Sequence, residues 1–299
     1  MASAWLLVAV AACGIAFADE YSEPLARQAV RYASAAYERN VSSLFNWSCM
    51  SCAVADNLTV LEVFDGAIDD HFAYLGVNAT DPDRLVLAFR GTVFSDKASA
   101  FADLVFRSTP WPSNVTGSTV DYGFLGYYMT VHGIVHRRLK AYLSQHPDAK
   151  LLITGHSLGG AAAVIAAVAL HAIVPDPVVY TFGAPRVGNG FFAVYIRDLL
   201  GPRLFRVVHD HDVVPHLPPC TVFGSVCGDD THPHHAPTEV LYDANMNTYR
   251  MCDPDNGEDD TCTDAFSPFS YSIREHLVYF GFDVAHPEYP VFLPSVAVA

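Results

Sequence analysis

The sequence predicts an α/β protein with a parallel βαβαβ core, and two observations lead there. Apolar residues switch between three-to-four spacing in the longer stretches and unbroken runs in the shorter ones. Those short runs are apolar on consecutive positions, as strands covered on both faces are, rather than alternating as half-exposed strands do.

The elements follow in order. Ser22 is placed to cap a helix whose inward face is Leu25, Ala29, Tyr32, Ala33 and Ala36. Strands are expected over 58–64, 72–77 and 84–89, then a long helix over 126–144. A strand over 151–154, an Ala-rich helix over 159–173, a strand over 178–182, a helix over 191–200 and a strand over 204–208 complete the alternation. From Pro215 the pattern loosens, and 253–260, dense in Asp, reads as a solvated loop without the spacing or closing Glu of an EF-hand. A last helix over 273–280 should stop at Gly281, and the tail after Pro287 is too short and Pro-broken to anchor anything.

Composition bounds the function. With 51% hydrophobic and 16% charged residues in 299, the chain is ordinary globular material able to bury a core. Seventeen Lys and Arg against 32 Asp and Glu give a net charge of −15, a field that repels phosphate, so nucleic acid is excluded as a partner. Only one stretch is apolar enough to resemble a span, which excludes a polytopic membrane protein. That stretch, residues 1–18, is uncharged and closes with Ala16-Phe17-Ala18, reading as a secretory signal peptide ahead of a single domain over 19–299; the other reading is an uncleaved anchor of marginal length.

Five Asn-x-Ser/Thr triplets, at Asn40, Asn46, Asn57, Asn78 and Asn114, fit the secretory route. Cys13 leaves with the signal peptide, and the six remaining cysteines fit a disulfide-bonded protein. The sequence-local pairs are Cys49–Cys52, Cys220–Cys227 and Cys252–Cys262, although six cysteines allow 15 connectivities and spacing does not choose among them. Fourteen His in an acidic chain make the net charge climb as pH falls below neutral, which suits a secreted or lumenal, lysosome-like destination.

The chemistry centres on Leu151-Leu152-Ile153-Thr154-Gly155-His156-Ser157-Leu158-Gly159-Gly160, a GxSxG between an apolar strand and an Ala-rich helix. Such a turn forces Ser157 into a strained backbone conformation, and Gly155 and Gly159 are needed because a Cβ at either would collide across it. The serine then stands at a helix N-terminus, whose free N–H groups favour developing negative charge. A hydroxyl needs a base and an orienting carboxylate further along the chain. Asp210 and Asp212 follow the strand over 204–208, and the bases on offer are His216, His232, His234, His235, His276 and His286. Pattern leaves that choice open, with His276 on a short terminal helix the more rigid position. His232-Pro233-His234-His235, near Asp229 and Asp230, lacks HExxH or Cys₂His₂ spacing and is not read as a catalytic metal site.

The chain resembles the class 3 lipases, the fungal-lipase-like α/β-hydrolases. The likeness runs through Ala88-Phe89-Arg90-Gly91-Thr92, Gly123-Phe124, the turn around Ser157, and Tyr180-Thr181-Phe182-Gly183-Ala184-Pro185-Arg186-Val187-Gly188-Asn189. It continues through Asp212-Val213-Val214-Pro215-His216, His235 to Val240, and Glu275-His276-Leu277-Val278-Tyr279-Phe280. The resemblance implies the α/β-hydrolase fold, a mostly parallel central sheet with helices on both faces. It also implies Ser157 as nucleophile, Asp212 as acid, His276 as base, and the backbone N–H groups of Thr92 and Leu158 as the oxyanion hole. In that family the segment after the oxyanion residue is a lid, here about 93–107, with Val93, Phe94, Phe101 and Phe106 as apolar substrate or lid contacts; a bland amphipathic surface helix is the other reading. The usual Trp before the lid Asp is missing, with Phe101 nearby instead.

The expectation is therefore a secreted serine esterase or lipase acting on acylglycerol esters, at a lipid–water interface where a lid operates, with no cofactor, no metal and no stable membrane anchor. Phospholipids cut at the sn-1 ester and phenolic-acid esters are alternative substrates, and a non-catalytic lipid-binding domain on the same fold is the rival from another class. Oligomeric state is not legible in the sequence.

Overall fold

In a computed structural model the residues described are 20–66, 71–93, 106–111, 115–220 and 230–287. Helix α1, Glu23–Ala35, begins where expected, with the Ser22 hydroxyl accepting from the Leu25 N–H. Strands β1, Leu58–Asp65, β2, Phe72–Asn78, and β3, Asp81–Phe89, form an antiparallel meander. Helix α2, Tyr122–Leu143, starts four residues earlier than spacing suggested. The reason is Asp121, whose carboxylate caps the helix by accepting from the Phe124 N–H at 2.9 Å.

The crossover units follow as β4, Lys150–His156, α3, Leu158–Leu170, β5, Val178–Phe182, α4, Gly190–Leu200, and β6, Leu204–His209. Strand β7, Glu239–Tyr242, adds in parallel to β6, and β8, Tyr249–Met251, closes the edge antiparallel. The eight strands lie in space in their chain order, β3 to β7 all parallel. This is the α/β-hydrolase architecture, with helices on both faces of the sheet.

Burial explains the consecutive apolar runs. Leu85, Leu87 and Phe89 of β3 and Leu151 and Ile153 of β4 join the core under α2, α3 and α4. Val86, Ala88 and Leu152, between them in sequence, join the opposite core under α1. Helix α3 is sandwiched, so almost every one of its residues is buried. Among the described residues no helix is long and apolar enough to cross a membrane.

Three expectations are corrected. Helix α5, Ile273–Leu277, ends three residues short of Phe280. Val278–Tyr279 instead pairs with Phe282–Asp283 across a turn in which Phe280 and Gly281 both take positive φ, 50° and 86°, so Gly281 marks a hairpin rather than a helix stop. The acidic stretch 253–260 is not wholly solvated, because Gly257 and Glu258 are buried and Glu258 is the counterion of buried Arg186. A small second sheet joins Ser108–Pro110, Thr119–Asp121, Gly188–Asn189 and Pro233–His234, strands of two or three residues too short to carry a periodic signal.

Disulfides join Cys49 to Cys52 and Cys252 to Cys262. Cys220 is also disulfide-bonded, and Cys227, its expected partner, lies outside the described residues. Residues 1–18, Asn114, Phe94 and Phe101 lie outside them as well.

Candidate active site

The site forms where the parallel strands end. Register sets Phe89, Gly155 and Thr181 side by side, so the turns leaving β3, β4 and β5 emerge at one edge of the sheet. Ser157 follows β4 with φ 58° and ψ −128°, a conformation non-glycine residues rarely hold. Its backbone N–H donates to the Phe182 carbonyl at 2.9 Å. A Cβ on Gly155 would stand 2.2 Å from the Gly159 carbonyl oxygen, and one on Gly159 would stand 2.3 Å from that of Phe89, which is why the turn takes glycine at both places.

The turn after β3 presses on the same point. A Cβ on Gly91 would lie 2.5 Å from the His156 carbonyl oxygen and 3.2 Å from the Ser157 Cβ. Thr92, the next residue, is half-buried, and Leu158 is the first residue of the 13-residue helix α3, where backbone N–H groups are free of helical partners. Leu158 thus follows Ser157 directly, and Thr92 follows Gly91, which packs against it.

Asp212, past the end of β6, and His276, on α5, are fully buried and meet directly, the His276 Nδ1 lying 2.9 and 3.0 Å from the two carboxylate oxygens. The carboxylate also accepts from the Val214 N–H at 2.8 Å and from the Tyr279 hydroxyl at 2.6 Å. Burial by itself would raise the Asp212 pKa, but the charge and hydrogen bond of His276, with the hydrogen bonds from Tyr279 and the Val214 N–H, hold it below the ordinary carboxylate range. With Nδ1–H donating to Asp212, the basic nitrogen of His276 is Nε2. Gly183, at φ 56°, makes room, since a Cβ there would sit 2.4 Å from the Asp212 Oδ2.

Two residues that sequence reasoning passed over support this pair. His156 is buried, its ring stacked 4.6 Å from that of His276, with Nε2–H donating to the His276 carbonyl at 2.7 Å. Its Nδ1 accepts from the Tyr37 hydroxyl at 2.8 Å. Burial, then the neighbouring His276, pushes the His156 pKa down to about 3, so the ring is neutral. The signal was available for His156, which lies inside the GxSxG, but nothing local pointed to Tyr37, 119 residues away.

Of the remaining histidines, His235 is buried with Nε2–H donating to the Pro215 carbonyl at 2.7 Å, and His216 stacks on Tyr271 at 3.8 Å. Asp210, His211 and Glu275 bring three ligand-type atoms within 4.8 Å of one another, with the His211 Nδ1 3.0 Å from the Asp210 carboxylate. The direct His211–Asp210 contact brings two of the three together. Of the expected lid contacts, Val93 is half-buried beside Thr92, and Phe106 lines a mostly apolar cavity of about 220 Å³ with Phe124, Leu158, Pro185 and Leu217, and with the charged residues Arg107 and Asp121.

Residues 86–222 match the family described as Lipase (class 3). The chain is 32% identical over 255 residues to a lipase of Rhizopus niveus, covering 83% of this chain and 61% of that one. It is 32% identical over 204 residues to the secreted mono- and diacylglycerol lipase A of Penicillium camembertii, covering 67% and 65%. The chain thus spans about three fifths to two thirds of the length of these curated relatives. The solved lipase II of Rhizopus niveus superposes with a TM-score of 0.76 at 29% identity, over 88% of this chain and 97% of that one. A triacylglycerol lipase described as having a serine protease triad as its catalytic centre superposes at 0.77, with 29% identity over 88% and 95%. Over residues 86–222 the chain thus matches the class 3 lipase family, and its fold is that of these α/β-hydrolases.

Proposed function

We propose that the protein is a secreted serine esterase of the lipase type, hydrolysing carboxylic esters of acylglycerols through an acyl-enzyme on Ser157. The observation that carries this reading is the buried Asp212–His276 pair, with His276 stacked on His156, the neighbour of a strained Ser157 at a helix N-terminus. His276 Nε2 takes the Ser157 proton as the hydroxyl attacks the ester carbonyl, then gives it to the leaving alcohol. Asp212 holds the imidazole tautomer and balances the imidazolium charge. The N–H groups of Thr92 and Leu158 receive the tetrahedral oxyanion, each worth about 2.7 to 4 kcal/mol of barrier. Water, activated by the same His276, releases the acid.

The mostly apolar cavity lined in part by Leu158, the residue after the nucleophile, is the place for an acyl chain. Secretion is supported by the 1–18 stretch, by the disulfides, and by relatives named as secreted. The test is a fluorescent organophosphonate with the adduct located by peptide mass, beside a panel of short- and long-chain esters. A Ser157 adduct that disappears in Ser157→Ala together with turnover is expected. A folded protein with neither adduct nor turnover overturns the reading in favour of a non-catalytic lipid-binding domain.

A further inference from the structure

One short loop carries the acid at its start and part of the cavity wall at its end. Asp212 accepts from the Val214 N–H at 2.8 Å, a 3₁₀ turn over Val214–His216 follows, and Leu217 and Pro218 then line the cavity that Leu158 also lines. The carbonyls of this loop are held from the side. The Arg186 backbone N–H donates to that of Leu217 at 2.8 Å and its Nη1 to that of Pro218 at 3.2 Å, while the His235 Nε2–H donates to that of Pro215 at 2.7 Å. A buried carbonyl that loses its donor must move to find another partner, and in so short a loop both ends move with it.

One buried carboxylate aims both donors. Glu258 accepts from the Arg186 Nε at 2.9 Å and Nη2 at 2.5 Å, and from the His235 backbone N–H at 2.6 Å. The two-point pair fixes the plane of the guanidinium, which leaves Nη1 for the loop. We propose that Arg186 and His235, aimed by Glu258, are positioning residues for ester hydrolysis: by holding the loop they set the Asp212 carboxylate against His276 and the Leu217–Pro218 wall of the acyl cavity together, so that turnover and acyl-chain preference are coupled. Both act through the loop and leave the chemistry to the triad. The inference rests on the esterase reading and adds what holds its acid in place.

The experiment compares wild type with three variants. His235→Phe removes the donor to Pro215 while keeping a ring in place and the backbone N–H that Glu258 holds, and His235→Gln offers an amide N–H toward the same carbonyl. Arg186→Lys keeps a counterion for Glu258 but loses the forked pair and the bond to Pro218. Each is measured per active site titrated with the organophosphonate, on a short-chain and a long-chain ester of one alcohol. The far-downfield proton resonance of the His276 Nδ1–H bonded to Asp212 is followed alongside by NMR. His235→Phe and Arg186→Lys should each lower kcat on the short ester roughly tenfold with little change in KM, lower the long-to-short ratio of kcat/KM several-fold, and shift or broaden that resonance. His235→Gln should recover most of all three. If Arg186→Lys does not fold, by circular dichroism, the His235 pair decides alone. Wild-type values of kcat, ratio and resonance in folded variants overturn the proposal, and so does a loss seen only as fewer titratable sites, which is a purely structural role. A fall in kcat with the ratio unchanged, or the reverse, overturns the coupling. A wild type with neither adduct nor turnover overturns the esterase reading and the proposal with it.

Discussion

The ring of His156 lies stacked on that of His276, 4.6 Å apart and 28° from parallel, while its Nε2–H holds the backbone carbonyl of the same residue at 2.7 Å. The residue preceding the nucleophile thus fixes both the ring and the main chain of the base, and Tyr37 fixes it in turn. Replacing His156 with Ala should lower kcat roughly 10- to 100-fold with little change in KM on a soluble ester, because the reacting nitrogen is displaced while the acyl cavity is untouched. Since His156 stays neutral down to about pH 3, its replacement should not remove a step from the pH–rate profile above that value.

Asp212→Asn keeps the shape of the buried pair but permits the wrong imidazole tautomer. A fall in kcat of about 10⁴ is expected, with the protein folded by circular dichroism. Gly183→Ala should be as damaging, since its Cβ would enter the space 2.4 Å from the carboxylate oxygen.

Arg186 is buried with a bidentate ion pair to Glu258, at 2.9 and 2.5 Å, and a longer contact to Asp264 at 3.3 Å. Glu258→Gln leaves the guanidinium short of its main counterion and should cost about 3 to 5 kcal/mol in urea unfolding. Burial would raise Glu258, but the Arg186 charge and hydrogen bond keep it well below the usual carboxylate range. Its stabilisation is therefore present above the unfolded pKa of about 4.3 and is lost as pH falls through and below it.

Asp264 runs the other way. Burial and the neighbouring Glu258 raise it to about 7, so its contribution to stability is greatest below the unfolded pKa of about 3.9 and fades as pH rises toward 7. Asp264→Asn should melt above wild type at pH 8, with the difference shrinking at pH 4, as read by calorimetry.

Gly155→Ala should fail to give soluble protein, or give protein with no organophosphonate labelling. The added Cβ would face the Gly159 carbonyl oxygen at 2.2 Å and the Gly160 nitrogen at 2.7 Å, and both are helix backbone that cannot swing away.

The central elements were legible because their signals are local. Helix α3 is apolar all round and sits between two buried strands, and the unbroken apolar runs of β3, β4 and β5 mark strands covered on both faces. The Ser157 turn was legible too, since glycine at 155 and 159 answers a clash within five residues. The small sheet and the burial of Glu258 were not, because each depends on a partner distant in the chain, Gly188 for Val120 and Arg186 for Glu258, and the hairpin after α5 was missed because its two-residue strands are too short to carry a period. Tyr279 reads in sequence as one more apolar residue, and only the approach of Asp212, 67 residues earlier, gives its hydroxyl a role.

What the sequence determined by itself was the order of the elements, the strained turn and the short list of groups able to serve as acid and base, because periodicity and glycine placement act over a few residues. Only the tertiary structure brought the acid into contact with the base and set His156 and Tyr37 behind them as supports. Those relations are distances between segments far apart in the chain, set by how the whole sheet packs and carried by no single stretch of it.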